Sequence, residues 1–131
     1  MSFFKNIKTE NIELKLPFLK DDGFEIFMKR EDLIHPIISG NKFRKLKYNI
    51  EKFKKNKNST LITFGGAYSN HLLAVSYIAK IENINTIAFV RGDELGVLPL
   101  NSTLQRCFDN GMEFKFISRE KYRFINDNNF L

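Results

Sequence analysis

The chain has 131 residues, of which 43% are hydrophobic and 27% charged, so it suits one globular domain and is not disordered. The net charge is +6, but the basic residues are scattered, and the densest run, residues 52–57, is interpreted as a solvated helix end. A single cysteine, Cys107, excludes an internal disulfide and is expected to be a buried structural thiol. The sequence has no signal-peptide core and no apolar stretch long enough to span a bilayer. We therefore expect a soluble, cytoplasmic protein whose partners include neither nucleic acid nor membrane.

The N-terminal residues are predicted to be extended. Asp21-Asp22-Gly23 is a turn signal between residues 12–18 and residues 24–28, and this pattern predicts a β-hairpin.

Strand-like and helix-like segments alternate in the remainder of the chain. Runs rich in β-branched and aromatic residues predict strands at 60–64, 85–90 and 112–117. Helical spacing of apolar residues predicts helices at 41–55, 69–82 and 101–110, and Gly111 follows the last as a helix-ending glycine. This alternation predicts an α/β fold of three layers, a parallel sheet with helices on both faces. The polar tail, residues 119–131, shows neither a strand nor an obvious cap, and a sheet this small suggests a chain that stops early.

Lys42 is an unusual lysine because it lies in the first turn of a predicted helix, on the flank of an apolar stripe that includes Phe43 and Leu46. The positive end of the helix dipole and the apolar neighbours both disfavour its charged form. A neutral amine attacks carbonyl groups, so this position suits a lysine that forms a Schiff base. The alternative is a surface lysine whose stem packs on the stripe.

A second signal lies where the strand at 60–64 meets the helix at 69–82. Gly65 and Gly66 are predicted to allow a sharp turn, and Ser69 and Asn70 then lie near free backbone N–H groups at a helix N-terminus. Such a site can bind an anion, for example a substrate carboxylate. The alternative is an ordinary turn with a serine cap.

Neither histidine predicts catalysis by itself. His71 and His35 are each interpreted as structural when taken alone. Together with Cys107 they are too far apart in the sequence to form a metal-site pattern, so no metal is predicted.

Six motifs occur in order along the chain: residues 29–33 (KREDL), 39–46 (SGNKFRKL), 65–71 (GGAYSNH), 91–94 (RGDE), 101–104 (NSTL) and 118–123 (SREKYR). The series resembles the 1-aminocyclopropane-1-carboxylate deaminase/D-cysteine desulfhydrase family, which are pyridoxal-phosphate enzymes of the tryptophan synthase β-subunit-like fold. The resemblance implies an incomplete fold-type II enzyme. Residues 1–40 would belong to the large domain, and residues 41–131 would form a small βαβ domain truncated at its C-terminal end.

The resemblance also implies roles for individual residues. Lys42 would bind pyridoxal phosphate covalently and later move protons, and Asn70 would hydrogen-bond the cofactor's ring oxygen. Ser69, with the neighbouring amides, would receive the substrate carboxylate and assist proton transfer. His71 occupies a position where deaminases tend to carry Gln and desulfhydrases His, which favours the second activity. Tyr68 departs from the family pattern beside Ser69.

In the family, a later Gly-rich segment binds the cofactor phosphate, and this sequence ends before it. The isolated chain is therefore expected to bind pyridoxal phosphate weakly or not at all and to be inactive alone. The leading interpretation is the N-terminal part of a deaminase or desulfhydrase that releases ammonia and a 2-oxo acid from a small amino acid. The alternative is a non-catalytic α/β fragment, or one half of a split enzyme that needs a complementing C-terminal chain. A homodimer is also consistent with an unfinished sheet edge.

Overall fold

The computed structural model describes residues 4, 7–19, 23–55, 60–125 and 127. Its strands are β1 (Asn11–Glu13), β2 (Phe27–Lys29), β3 (Leu61–Gly66), β4 (Thr86–Arg91) and β5 (Met112–Ile117). Its helices are α1 (Gly40–Phe53), α2 (Asn70–Glu82), α3 (Ser102–Asp109) and α4 (Arg119–Tyr122). The three helices and three strands predicted after residue 40 are all present, with ends shifted by one or two residues at most.

Strands β3, β4 and β5 form a parallel sheet in that order, and α2 and α3 are its crossover connections. The register places Thr63 beside Ala88 and Ala88 beside Phe114. The predicted α/β fold with a parallel sheet is therefore confirmed.

The core lies between the sheet and its helices. Ala88 and Val90 of β4 are fully buried beneath the apolar sides of α2 and α3. The stripe of α1 closes the same core with Phe43, Leu46 and Ile50. The main helical cover thus lies on one face of the sheet, whereas helices were predicted on both. The opposite face carries apolar side chains that are exposed, as for Ile62, or only partly buried, as for Phe64, Ile87 and Phe89.

The predicted hairpin is present but shorter. β1 pairs antiparallel with β2, with Asn11 opposite Lys29 and Glu13 opposite Phe27. Asp21 and Asp22 of the predicted turn lie outside the described residues.

Several smaller predictions can be compared with the structure. Cys107 is fully buried, as expected, and its burial raises the pKa of the thiol. Immediately before the polar tail, Ser118 caps the short helix α4 by accepting a hydrogen bond from the Lys121 amide. In the basic run, Lys54 forms an ion pair with Glu82, and Lys57 is outside the described residues.

None of the helices within the described ranges is long and apolar enough to cross a membrane.

Candidate functional site

Lys42 lies where the sequence predicts, in the first turn of α1. Gly40 precedes it with φ +58°, a left-handed conformation that glycine adopts without steric cost. Lys42 is half-buried beside the fully buried Phe43, whereas Lys45 and Lys52 further along the helix are exposed. The side chain thus lies on the flank of the apolar stripe, as expected.

An ion pair fastens the start of α1 to the N-terminal segment. The Arg44 guanidinium donates to both carboxylate oxygens of Glu31, at 2.8 and 2.6 Å. Thr9 donates a third hydrogen bond to the same carboxylate at 3.1 Å. Arg44 holds the pKa of Glu31 below its usual value, although burial opposes this shift. These contacts orient the helical turn that carries Lys42, and they give Glu31 of the motif at residues 29–33 a structural role.

Gly65 positions α2, but by close packing rather than by turning. Both Gly65 and Gly66 belong to strand β3, and neither has a positive φ. A Cβ atom at Gly65 would lie 2.7 Å from Cγ of Leu72, whereas one at Gly66 would meet nothing closer than 3.9 Å. The glycine therefore allows the first turn of α2 to approach the strand, and the chain turns at Ala67 and Tyr68 instead.

Ser69 is the N-cap of α2. Its hydroxyl accepts a hydrogen bond of 3.3 Å from the Leu72 amide, which satisfies one free N–H group of the first turn. Asn70, the first residue of α2, is exposed and has its side chain available to a ligand. The serine cap was one of the two interpretations of this segment, and a role in carboxylate binding stays a prediction.

Asn101 is a site-organising residue that the sequence reasoning missed. Its side-chain oxygen caps α3 by accepting from the amides of Thr103 and Leu104 at 3.0 and 2.9 Å. Its side-chain nitrogen donates to the carbonyl oxygen of Ala67 at 3.0 Å. An Asn before a helix is a recognisable cap signal, but its link to a loop 34 residues away is visible only in the structure.

His71 lies one residue beyond Asn70. Its Nε2 atom is 3.1 Å from the Thr63 hydroxyl of β3. Burial lowers the pKa of His71, and the positive charges of Lys42 and Lys45 lower it further. The other histidine, His35, is structural as expected, because its Nδ1 accepts hydrogen bonds from the amides of Ile37 and Ile38.

Two cavities divide the predicted site residues. Lys42 and Asn70 line one cavity of about 250 Å³, together with Pro36, Ile37, Ser39, Leu73 and Arg106. His71 lines a different cavity of about 380 Å³ between α1 and β3, where most of the lining is apolar. The structure therefore brings Lys42 and Asn70 together, keeps Ser69 as a cap beside them, and places His71 at a neighbouring surface. Arg106 was not predicted, because a sequence gives no signal for a contact between α3 and the start of α1.

In the described part of the chain, no group of three or more His, Cys, Asp or Glu side chains is placed to hold a metal ion.

The chain was compared with known proteins. No protein-family profile matches it. A protein of Thermotoga maritima described as a putative 1-aminocyclopropane-1-carboxylate deaminase is 35% identical over 105 residues, which is 80% of this chain and 33% of that protein. The bifunctional D-cysteine desulfhydrase/1-aminocyclopropane-1-carboxylate deaminase of Arabidopsis thaliana is 32% identical over 79% of this chain and 27% of its own length. The D-cysteine desulfhydrase of Salmonella paratyphi A is 31% identical over 73% of this chain and 28% of its length.

A comparison with solved structures also finds a member of this group of deaminases, so the fold agrees with the sequence matches. The crystal structure of an ACC (1-aminocyclopropane-1-carboxylate) deaminase homologue superposes with a TM-score of 0.62 and 28% sequence identity. The match covers 85% of this chain and 33% of that one. The chain therefore spans about a third or less of the length of the proteins it matches.

Proposed function

Because the chain is homologous to the N-terminal portion of the 1-aminocyclopropane-1-carboxylate deaminase/D-cysteine desulfhydrase family, we propose that it is the part of such an enzyme that carries the cofactor lysine. The cofactor is pyridoxal phosphate, and Lys42 is the lysine that bonds to it. The reaction is the deamination of a small amino acid, of the D-cysteine or 1-aminocyclopropane-1-carboxylate type, with release of ammonia and a 2-oxo acid.

The observation that carries this proposal is the shared cavity of Lys42 and Asn70. Two residues 28 positions apart in the sequence meet at the first turns of two helices, and the family resemblance implies a cofactor contact for each of them. Lys42 is half-buried beside Phe43, and a lysine bonds to an aldehyde through its side-chain amine.

The residues present fit the cofactor. The cavity offers a reactive amine, an amide side chain at Asn70 and a second cation at Arg106, which together suit a small anionic aromatic aldehyde. Pyridoxal phosphate, when bound, withdraws electrons from the substrate and makes bonds at its α-carbon easier to break. Lys42 then holds or moves a proton at its Nζ atom. Ser69 and the amides of the first turn of α2 bind and orient the substrate carboxylate.

His71 bears on the choice of substrate. It lies next to Asn70, and its lowered pKa keeps its imidazole neutral near pH 7. A neutral imidazole can both donate and accept a hydrogen bond, so it can contact a substrate without adding charge. Although His71 lines a neighbouring cavity, we assign it to substrate binding, and we favour D-cysteine because the family resemblance implies His at this position in desulfhydrases.

A second candidate is one half of a split enzyme that requires a complementing C-terminal chain. Exposed apolar side chains on the hairpin and around it favour this candidate, since large exposed apolar patches mark interaction surfaces. Phe24, Phe27 and Leu33 have exposed fractions of 71%, 58% and 63%. In this arrangement residues 1–40 pack with the complementing chain, and residues 41–131 remain the small domain.

Reconstitution tests both candidates. The chain is co-expressed with the remaining C-terminal part of the Thermotoga maritima relative, and the purified material is assayed for 2-oxo acid release from D-cysteine and from 1-aminocyclopropane-1-carboxylate. We expect a stable complex whose activity requires Lys42 and which prefers D-cysteine. Lys42→Gln should abolish turnover, while the matched change Lys45→Gln, one turn further along α1, should preserve it.

The outcomes test the proposed reaction and the assignment of Lys42 separately. A complex that releases a 2-oxo acid supports the proposed reaction. A complex that forms but releases none with either substrate contradicts the reaction and leaves a non-catalytic α/β partner domain. Activity that survives Lys42→Gln contradicts the assignment of the lysine.

A further inference from the structure

The two edges of the three-stranded sheet differ in charge. At one edge, β5 carries Glu113 and Lys115 on the face opposite α2 and α3, and a Cβ atom at Gly96 would lie 3.2 Å from the Phe116 ring. Charged side chains and packed segments are common protection for an edge strand. At the other edge, β3 has the sequence LITFGG, which contains no charged residue. The edge of β3 therefore lacks the charged protection that β5 has.

The edge of β3 that faces away from β4 offers main-chain groups for pairing. Within the described residues, β3 pairs with β4 alone. The Leu61 amide donates to the carbonyl oxygen of Asn85, 2.9 Å away, on the β4 side. Because the N–H groups of successive residues in a strand point in opposite directions, the Ile62 amide points to the other side. A strand that lies along this edge would accept a hydrogen bond from it.

A cavity of about 380 Å³ lies beside the same edge, between α1 and β3. Leu46, Ile50 and Phe53 line it from α1, and Leu61 and Ile62 line it from β3. Successive side chains of a strand point to opposite faces, so every second side chain of an added strand would point towards this cavity. Burial of apolar side chains there would stabilise the added strand.

The contact between Arg91 and Tyr122 shows on which face α4 begins. Arg91 follows Val90 in β4, and Val90 is fully buried on the face that α2 and α3 cover, so Arg91 belongs to the opposite face. The Arg91 guanidinium carbon lies 5.7 Å from the centroid of the Tyr122 ring. The short helix α4, which carries Tyr122, therefore begins at the face opposite α2 and α3.

This position of α4 selects the edge of β3 for a further strand. The connections through α2 and α3 lead across the sheet from β3 to β4 and then to β5. Connections between parallel strands are right-handed, so a connection along the opposite face runs across the sheet in the opposite direction. A segment that follows α4 along that face would pass β4 and place its next strand beside β3, parallel to it.

We propose that the free edge of β3 is the docking site for a fourth parallel strand, delivered by a helix on the face where α4 begins. The occupant is an uncharged strand, rich in β-branched and aromatic residues, from the portion of the family's proteins that this chain does not span. The chain matches 33% of the Thermotoga maritima relative, so such a portion exists in that protein. The inference rests on the proposed function for the source of the strand, but not on the proposed reaction.

Amide hydrogen exchange followed by NMR locates the added strand. Exchange is measured for the isotopically labelled chain alone and in complex with the remaining C-terminal part of the Thermotoga maritima relative. We expect the Ile62 amide to exchange about a hundredfold more slowly in the complex, because it joins a hydrogen-bonded ladder. Phe114 of β5 is the internal control. The Ile117 carbonyl accepts from the Gly92 amide on the β4 side, so by the same alternation the Phe114 amide faces away from β4 and should keep its rate.

Substitutions at the edge provide the contrast. Ile62→Lys places a charge at the docking edge and should weaken the complex by about tenfold. Glu113→Lys places the same side chain at the aligned position of β5 and should leave the affinity unchanged. Isothermal titration calorimetry with the purified C-terminal part measures both.

A second variant tests the cavity should Ile62→Lys fail to fold. Phe53→Ala removes an apolar ring from the α1 side of the cavity and should also weaken the complex by about tenfold. Its matched control is Phe108→Ala, which removes an exposed ring of α3 that does not line the cavity and should keep the affinity.

The proposal is overturned when no complex forms, when the Ile62 amide exchanges equally fast in the complex, or when Phe114 is protected in its place. Protection of Ile62 that appears in the chain alone as its concentration rises also overturns it, since this result would assign the edge to a second copy. A complex in which Ile62 is protected but no 2-oxo acid is released contradicts the proposed reaction and supports the docking site.

Discussion

The side-chain nitrogen of Asn101 donates a hydrogen bond of 3.0 Å to the carbonyl oxygen of Ala67, so the start of α3 is fastened to the loop that leads into α2. The same side chain caps α3 through its oxygen. We predict that Asn101→Ala destabilises the chain by about 2 kcal/mol, since a cap and a hydrogen bond contribute about 1 kcal/mol each. Urea unfolding followed by circular dichroism measures this change.

Asn101→Asp separates the two contributions, because aspartate still caps a helix but cannot donate to Ala67. Asn101→Asp should lower the free energy of unfolding by about 1 kcal/mol, roughly half of the loss expected for Asn101→Ala. Ser102→Ala, at the neighbouring exposed position, is the control and should change little. Equal losses for Asn101→Ala and Asn101→Asp would mean that the cap contributes nothing.

Gly65 allows Leu72 to pack against β3, and this leads to a second prediction. Gly65→Ala places a Cβ atom 2.7 Å from Leu72 Cγ. Such overpacking should lower the free energy of unfolding by about 1–3 kcal/mol. Gly66→Ala, with 3.9 Å to its nearest neighbour, should change the free energy of unfolding by less than about 1 kcal/mol. Thermal or urea unfolding of both variants makes the comparison.

A double variant checks the cause of the Gly65 effect. Adding Leu72→Ala to Gly65→Ala should cost less than the sum of the two single changes, because the smaller side chain removes the clash. Strict additivity would show that Gly65 matters for some reason other than this contact.

His71 predicts a specific pH dependence. Because burial and two lysines hold its folded pKa below the ordinary value of 6.5, the unfolded chain binds the proton first as the pH falls. The stability contribution of neutral His71 is complete above pH 6.5 and is lost as the pH falls through the lowered folded pKa. We expect unfolding midpoints to decline over this window in the unchanged chain and to decline less in His71→Gln.

NMR titration of the His71 imidazole in lysine variants identifies which charges lower its pKa. Lys42→Gln should raise the pKa of His71, and Lys45→Gln should raise it less, because Lys42 is the larger of the two charge effects. Lys47→Gln removes a charge from the same helix and should leave the His71 titration unchanged. A titration that is identical in all three variants would place Lys42 far from His71.

Local sequence rules predicted most of the fold. The alternation of β-branched runs with helical stripes predicted β3 to β5 and α1 to α3, because periodicity depends on which face of each element is buried. The placement of the helices was less well predicted. Helices were expected on both faces, but α2 and α3 share one face, and the sequence of Ile62, Phe64, Ile87 and Phe89 shows only that the other face is apolar.

The candidate site was predictable in part for the same reason. Lys42 and Asn70 each stand out locally, since each lies in the first turn of a helix whose start is marked by Ser39 or Ser69. Arg106 and the link from Asn101 to Ala67 depend on packing between α3 and elements more than 30 residues away, which no local pattern encodes.

The role of Lys42 can be tested directly by trapping the cofactor on the chain. The protein is incubated with pyridoxal phosphate, reduced with borohydride and mapped by peptide mass spectrometry. We predict an adduct concentrated on Lys42 at millimolar cofactor, lost in Lys42→Gln and retained in Lys45→Gln. At micromolar cofactor the adduct should be well below stoichiometric, since the family resemblance implies that residues outside these 131 supply several phosphate contacts of roughly 1.5–3 kcal/mol each. Adducts spread evenly over the exposed lysines, or an unchanged yield in Lys42→Gln, would contradict the account.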